Sequence, residues 1–248
     1  AGIEEGEGRD RSSLDLSPAQ EELILSVAGA GKPLVVVLVG GSAVTMARWI
    51  GQVPAILDTW YGGEEGGTAL AEVLFGDVNP AGRLPITFPQ SVGQLPLYYN
   101  HRPTGRGYDY VDLSGRPLFP FGHGLSYTRF EYSDLRIEPA EIPPTGRVEV
   151  HVDVRNAGAR AGEEVVQLYV RDEIGGVVRP VKELRGFRRI ALAPGEARTV
   201  RFGLGPGDLA YPGPDGRPIV ESGAFRAMVG ASSSDLRLEG EFRVTAAR

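Results

Sequence analysis

The sequence contains no cysteine. That absence removes disulfides, thiolate nucleophiles and cysteine-based metal sites together, and it is compatible with either side of a membrane. Histidine is scarce as well. His101, His123 and His151 stand far apart in the chain, so a zinc site would need carboxylates to complete it. The longest apolar run, Leu34 to Val39, is the length of a strand and far too short to cross a bilayer. Positive charge is in deficit: the net charge is -6, which argues against broad phosphate binding, so neither nucleic acid nor a membrane is an expected partner. Lys32 and Lys182 are the only lysines among 26 basic residues, an arginine bias that reads as GC-rich coding or a heat-adapted source.

What is present reads as one or two domains, at 248 residues. The chain opens without methionine, signal peptide or capped element, in the polar stretch AGIEEGEGRDR. That opening reads as the middle of a loop and predicts a fragment.

Two textures meet near residue 130. In the first half, Ser17-Pro18 supplies an N-cap followed by proline at the first helical position, and Leu23, Ile24 and Val27 give a helical stripe, so a helix is expected over 17–28. PLVVVLVGG (33–41) and AILDTWYGG (55–63) read as strands buried on both faces of a parallel sheet. Helical pieces are expected over 43–50 and 64–74, the latter with carboxylates in its first turn. Residues 75–127 are rich in proline, glycine and aromatics and read as ordered loop, with one strand near 84–88 and a local ion pair between Asp77 and Arg83. From Phe130 onward the period is two: RVEVHVDVRN (147–156), EVVQLYVRD (164–172), ARTVRFGL (197–204), GAFRAMVGAS (223–232) and LRLEGEFRV (236–244) alternate between turns. The predicted fold class is α/β followed by all-β: a partial α/β/α sandwich layer with a mostly parallel sheet over 1–128, then an immunoglobulin-like β-sandwich over 129–248.

Chemistry has three candidate locations. Glu4, Glu5, Glu7 and Asp10 lie beside Arg9 and Arg11 in a glycine-rich loop, which could lend a carboxylic acid to another domain's site as a proton donor. The competing reading is a solvated acidic loop, the usual fate of a charge run. WYGGEEGG (60–67) follows a strand, at the sheet edge where ligands bind in open α/β folds. It lacks the lysine and hydroxyl of a phosphate-binding loop, and a tight turn before a helix competes. The third is an aromatic loop region with Tyr98, Tyr99, His101, Tyr108, Tyr110, Phe119, Phe121, His123 and Tyr127. These rings can stack on sugar faces or cement an interface, and the interface is the preferred reading for most of them. Ser126 and His123 have no G-x-S-x-G elbow to support a triad.

The order EGEGRDRSSLDL, KPLVVVLVGG, VPAILDTWYGGEEGGTALAEVLFGDVNPAGRLPITFPQSVGQLPLYYN and FPFGHGLSYTRFEYS resembles glycoside hydrolase family 3. VVQLYVRDEIGGVVRPVKELRGFRRIALAPGEARTVRF resembles the fibronectin type III-like domain that ends many of its members. The resemblance implies the C-terminal portion of a retaining, exo-acting β-glucosidase. Its aspartate nucleophile would lie in an N-terminal β/α barrel outside this chain. The family's general acid/base segment, G-E-G-x-D-R, corresponds to Gly6-Glu7-Gly8-Arg9-Asp10-Arg11, which makes Glu7 the first choice, with Glu5 and Glu4 as runners-up. The implied partners are that barrel and a β-glucoside or oligosaccharide, with a homodimer as a further option; no cofactor or metal is implied. The alternative is a carbohydrate-binding or structural accessory module without chemistry of its own, and a binding module predicts a row of exposed aromatics on one sheet face.

Overall fold

The computed structural model describes residues 11–104 and 107–246. They divide into two compact units. One comprises residues up to 78 with 86–97 and 108–119; the other comprises 79–85, 98–107 and 120 onward.

In the first unit, helix α1 spans Pro18–Gly29, strand β1 Val35–Leu38, strand β2 Ala55–Asp58 and helix α2 Gly66–Phe75. Gln20 Oε1 closes the start of α1 by accepting the Ser17 backbone N–H at 3.1 Å. β1 and β2 pair in parallel, from Val35 opposite Ala55 to Leu38 opposite Asp58, as the sequence predicts. They are not buried throughout: Val36 and Leu38 are buried while Val35 is exposed, because side chains alternate between the two faces and the face bearing Val36 and Leu38 is the better covered. Val36, Leu38, Met46, Trp49 and Phe88 are among the buried hydrophobic residues of this unit.

The helix expected over 43–50 is absent. The Thr45 N–H donates to Leu14 O at 2.9 Å and the Thr45 hydroxyl donates to Asp15, so this stretch bridges to the segment before α1. Only a single turn follows, with the Ile50 N–H donating to Met46 O at 2.9 Å. α2 begins two residues later than expected, with Glu65 as its N-cap rather than in its first turn. The strand expected near 84–88 reduces to a single bridge between Phe88 and Phe119, since Pro85 and Pro89 cannot donate to a ladder.

In the second unit, strands β3 (Phe130–Glu138), β4 (Glu141–Ile142), β5 (Val148–Asn156), β6 (Gly162–Asp172), β7 (Glu183–Leu192) and β8 (Ala197–Leu204) precede a one-turn helix α3 (Pro206–Leu209). Short strands β9 (Tyr211–Pro212) and β10 (Pro218–Ile219) and long strands β11 (Gly223–Gly230) and β12 (Leu236–Val244) follow. Two large sheets form, ordered β4-β12-β11-β6-β7 and β3-β5-β8, and β9 and β10 pair with each other as a separate antiparallel ribbon. The valines at 148, 150, 152 and 154 of β5 are buried, interleaved with the outward Glu149, His151, Asp153 and Arg155. Leu168 of β6, Phe202 of β8 and Phe225 and Phe242 of β11 and β12 meet them in one core, with the Phe225 and Phe242 rings stacked 5.5 Å apart.

β6 departs from this alternation, since Val165 to Val170 are all buried. Its second face is covered by connector residues that belong to the same unit. Buried Gln167 donates from Nε2 to Gly122 O at 3.2 Å and Ala231 O at 2.6 Å, and accepts the Tyr169 hydroxyl on Oε1 at 2.6 Å. Gly122 has φ 81°, and a β-carbon there would lie 2.2 Å from Gln167 Oε1, so only glycine fits this approach. Tyr99 stacks on Phe121 at 4.4 Å and meets Tyr169 edge-on at 5.7 Å. Arg83 completes the cover, placing Nη2 3.2 Å from Glu164 Oε1, with both side chains buried (8% and 3% exposed). The expected partner of Arg83 was Asp77; the buried Glu164 takes its place.

Removing one member of a buried pair strands the other charge. Glu164→Ala is therefore expected to lower the unfolding free energy by about 3–5 kcal/mol, whereas the double change Arg83→Met with Glu164→Leu costs far less. Urea denaturation of the two variants checks this.

Candidate active-site edge and connector

The C-terminal ends of β1 and β2 lie side by side, the end of a parallel sheet where open α/β folds place their ligands. At the end of β2 the Thr59 N–H and hydroxyl both donate to Leu38 O, at 3.0 and 2.9 Å, locking the two strand ends together. The chain then turns sharply. Trp60 adopts φ 51°, a left-handed conformation that is an outlier for a bulky residue and costs on the order of 1–3 kcal/mol. Asp58 Oδ1 accepts the Trp60 N–H at 3.2 Å, and the indole meets Phe88 edge-on at 6.2 Å. These two contacts hold the strained turn. The next residue, Tyr61, is 72% exposed. Gly41, beyond the end of β1, approaches its ring so closely that a β-carbon would lie 2.8 Å from Tyr61 Cε2.

The other end of the WYGGEEGG motif leads into α2, where Glu64 and Glu65 repel an anion from the helix N-terminus. The motif therefore builds an aromatic turn rather than a phosphate cradle. Sequence reading singled out the motif but missed Asp58 and Gly41; the positive φ that gives them meaning has no signature in the residue types.

Glu7, Glu5 and Glu4 lie outside the described residues. Asp15, eight positions after Glu7, pairs with Thr45 in an isolated parallel bridge.

The aromatic loop region divides between the two units. Phe119 packs on Phe88 at 6.3 Å in the first. In the second, Tyr99 and Phe121 cover β6. Both pairs serve packing. Ser126 donates to Asn79 Oδ1 at 3.0 Å and accepts the Thr128 N–H at 3.2 Å, a turn-stabilising arrangement. Among the described residues no three histidine, aspartate or glutamate side chains cluster as a metal site. Among the described residues of the sandwich no row of exposed aromatics forms: Tyr169, Phe202, Tyr211, Phe225 and Phe242 are buried, and Phe187 stands exposed by itself on β7.

Residues 1–127 match the glycosyl hydrolase family 3 C-terminal domain, and residues 164–233 match a fibronectin type III-like domain. The chain belongs to glycosyl hydrolase family 3. Among its relatives in that family, a β-xylosidase of Formosa agariphila is 46% identical over 92% of this chain and 32% of its own length. The periplasmic β-glucosidase of Salmonella typhimurium is 40% identical over 96% of this chain and 32% of its own. The solved structure of a β-glucosidase from Erythrobacter marinus superposes with a TM-score of 0.91 at 47% identity, covering 99% of this chain and 32% of that one. A β-glucosidase from Listeria innocua, solved with glucose, gives 0.90 at 35% identity, over 95% and 34% of the two chains. The chain thus spans about a third of the length of these family 3 relatives. No helix among its described residues is long and apolar enough to cross a membrane.

In the family 3 connector, His123 is half-buried. Burial first, and then the nearby Arg83 guanidinium, hold its pKa below the usual histidine value. A neutral imidazole is favoured in the fold, so its contribution to stability is complete above about pH 6.5, the unfolded value, and is lost as pH falls through the lowered folded value. His123→Gln is expected to flatten the acid-side fall of unfolding free energy, measured by denaturant titration across that window. NMR should place the His123 midpoint below those of model peptides.

Proposed function

We propose that this chain is the C-terminal portion of a retaining, exo-acting β-glycosidase that releases terminal β-D-glucosyl residues, and that Glu7 is its general acid/base. One observation carries the reading: family 3 matches run along nearly the whole chain, and relatives named as β-glucosidases match 92% or more of it at 40–43% identity. Glu7 stands in the Gly6-Glu7-Gly8-Arg9-Asp10-Arg11 segment that resembles the family's acid/base loop. The nucleophile is assigned to an aspartate of an N-terminal β/α barrel of the same polypeptide, within the two thirds of the relatives' length that this chain does not span.

The chemistry follows from two carboxylates in different protonation states. In a retaining glycosidase one carboxylate, about 5–5.5 Å from the other, attacks the anomeric carbon. Its partner protonates the departing oxygen and then takes a proton from the water that releases the sugar. Glu7 must be protonated at the first step, which requires its pKa to rise when the barrel excludes water around it. The partly uncovered β1–β2 pair supports the same division of labour. Parallel sheets are ordinarily covered on both faces, and Val35, Val39 and Phe75 are exposed in this chain.

In the complete polypeptide, Glu7→Gln is expected to lower kcat/KM by about 10²–10⁴-fold on a β-linked disaccharide, whose leaving oxygen needs a proton. A nitrophenyl β-glucoside, whose leaving group departs unprotonated, should lose much less in the first step. Equal, undiminished activity of the variant on both substrates would remove Glu7 from the role and promote Glu5 or Glu4.

A further inference from the structure

We infer that Tyr61 is a specificity-determining residue: its ring forms a platform for the sugar on the leaving-group side of the scissile bond. The inference rests on the glycosidase reading above and adds a residue to it. Tyr61 is 72% exposed at the end of β2, on the ligand-bearing edge of the parallel pair. Exposure alone would say little, but this ring is built into place. The residue before it holds a strained φ of 51°, and Asp58 and Phe88 keep that strain from relaxing. On the other side Gly41 leaves no room for a β-carbon against the tyrosine ring. Backbone strain maintained around an exposed, oriented aromatic is a common mark of a binding position.

The chemistry selects the ligand. The carbon-bound hydrogens of a pyranose present an apolar face that packs on an aromatic ring. Glu64 and Glu65 follow within the same motif and discourage an anionic ligand, leaving a neutral saccharide. The side of the bond follows from proton delivery. A general acid must reach the departing oxygen, so the loop bearing it serves the leaving group. The described chain that continues from that loop, at Asp15, bridges to Thr45, four residues from Gly41.

The test uses the complete polypeptide with two substrates whose leaving oxygens both need a proton, a β-linked glucose disaccharide and methyl β-D-glucoside, whose methyl group offers no ring to stack. Tyr61→Ala is expected to lower kcat/KM on the disaccharide by about three- to ten-fold, mainly through KM, and to change methyl glucoside turnover by less than about two-fold. Tyr61→Phe should keep the wild-type ratio, because the ring and not the hydroxyl makes the contact. Gly41→Ala, which displaces the ring while leaving it present, should reproduce the disaccharide-selective loss should Tyr61→Ala prove unstable. Equal losses on both substrates, or no loss on either, would overturn the platform while leaving the glycosidase reading intact. A wild-type polypeptide that hydrolyses neither substrate would overturn both.

Discussion

Arg83 and Glu164 are charged groups taken out of water together, and the arrangement of the connector around the β-sandwich depends on their remaining a pair. Each ion alone would be strongly disfavoured at that depth. Together they fix residues 79–85 against β6, and the surrounding polar groups are placed to match. Asn79 donates to Ala161 O at 2.9 Å and accepts from the Tyr127 N–H at 2.7 Å, while Gln167 reaches Gly122. This is why the outward face of β6 is dry, although an antiparallel sheet of a small sandwich would ordinarily show that face to solvent.

Much of the fold was legible because its periods are regular. β5, β8 and β12 coincide with alternating runs to within a residue of their ends, and the two parallel strands follow from their β-branched runs and trailing glycines. The misses have local causes. β3 (FEYSDLRIE) carries a register shift between Ser133 and Arg136, with Asp134 at φ 49°, and a bulge breaks the alternation that sequence reading relies on. β7 is dense in arginine and interrupted by Gly186, so it does not look like a strand until the pairing with β6 is seen. The piece over 43–50 has the composition of a helix, but its donors are spent on Leu14 and Asp15. That competition is tertiary and cannot be read from a window of residues.

The site was legible to a different degree. The acidic loop, which lies outside the described residues, and the WYGGEEGG motif stand out through glycine and carboxylate content, and the acid/base role proposed for the first rests on the resemblance to family 3 rather than on composition. The second acquires meaning only from geometry. A tryptophan in a left-handed turn and a glycine pressed against a tyrosine are invisible in one dimension, because each depends on a backbone angle or a distance across the sheet end. The fibronectin-like part shows the converse. Its aromatics are prominent in the sequence and nearly all of them are core, so abundance of rings there marks packing.

The order in which the chain visits its two compact units has a consequence for ancestry and engineering. Residues 79–85, 98–107 and the stretch from 120 onward belong to one unit, and the intervening segments belong to the other. The polypeptide therefore passes between them several times before the first long strand of the sandwich. A fibronectin-like tail joined by one linker could be gained, lost or exchanged by a single crossover. Here no single crossover point in 79–119 leaves both hydrophobic interiors intact, so the two units are expected to have been inherited as a block, and a chimera that swaps only the tail must carry the interleaved connector with it.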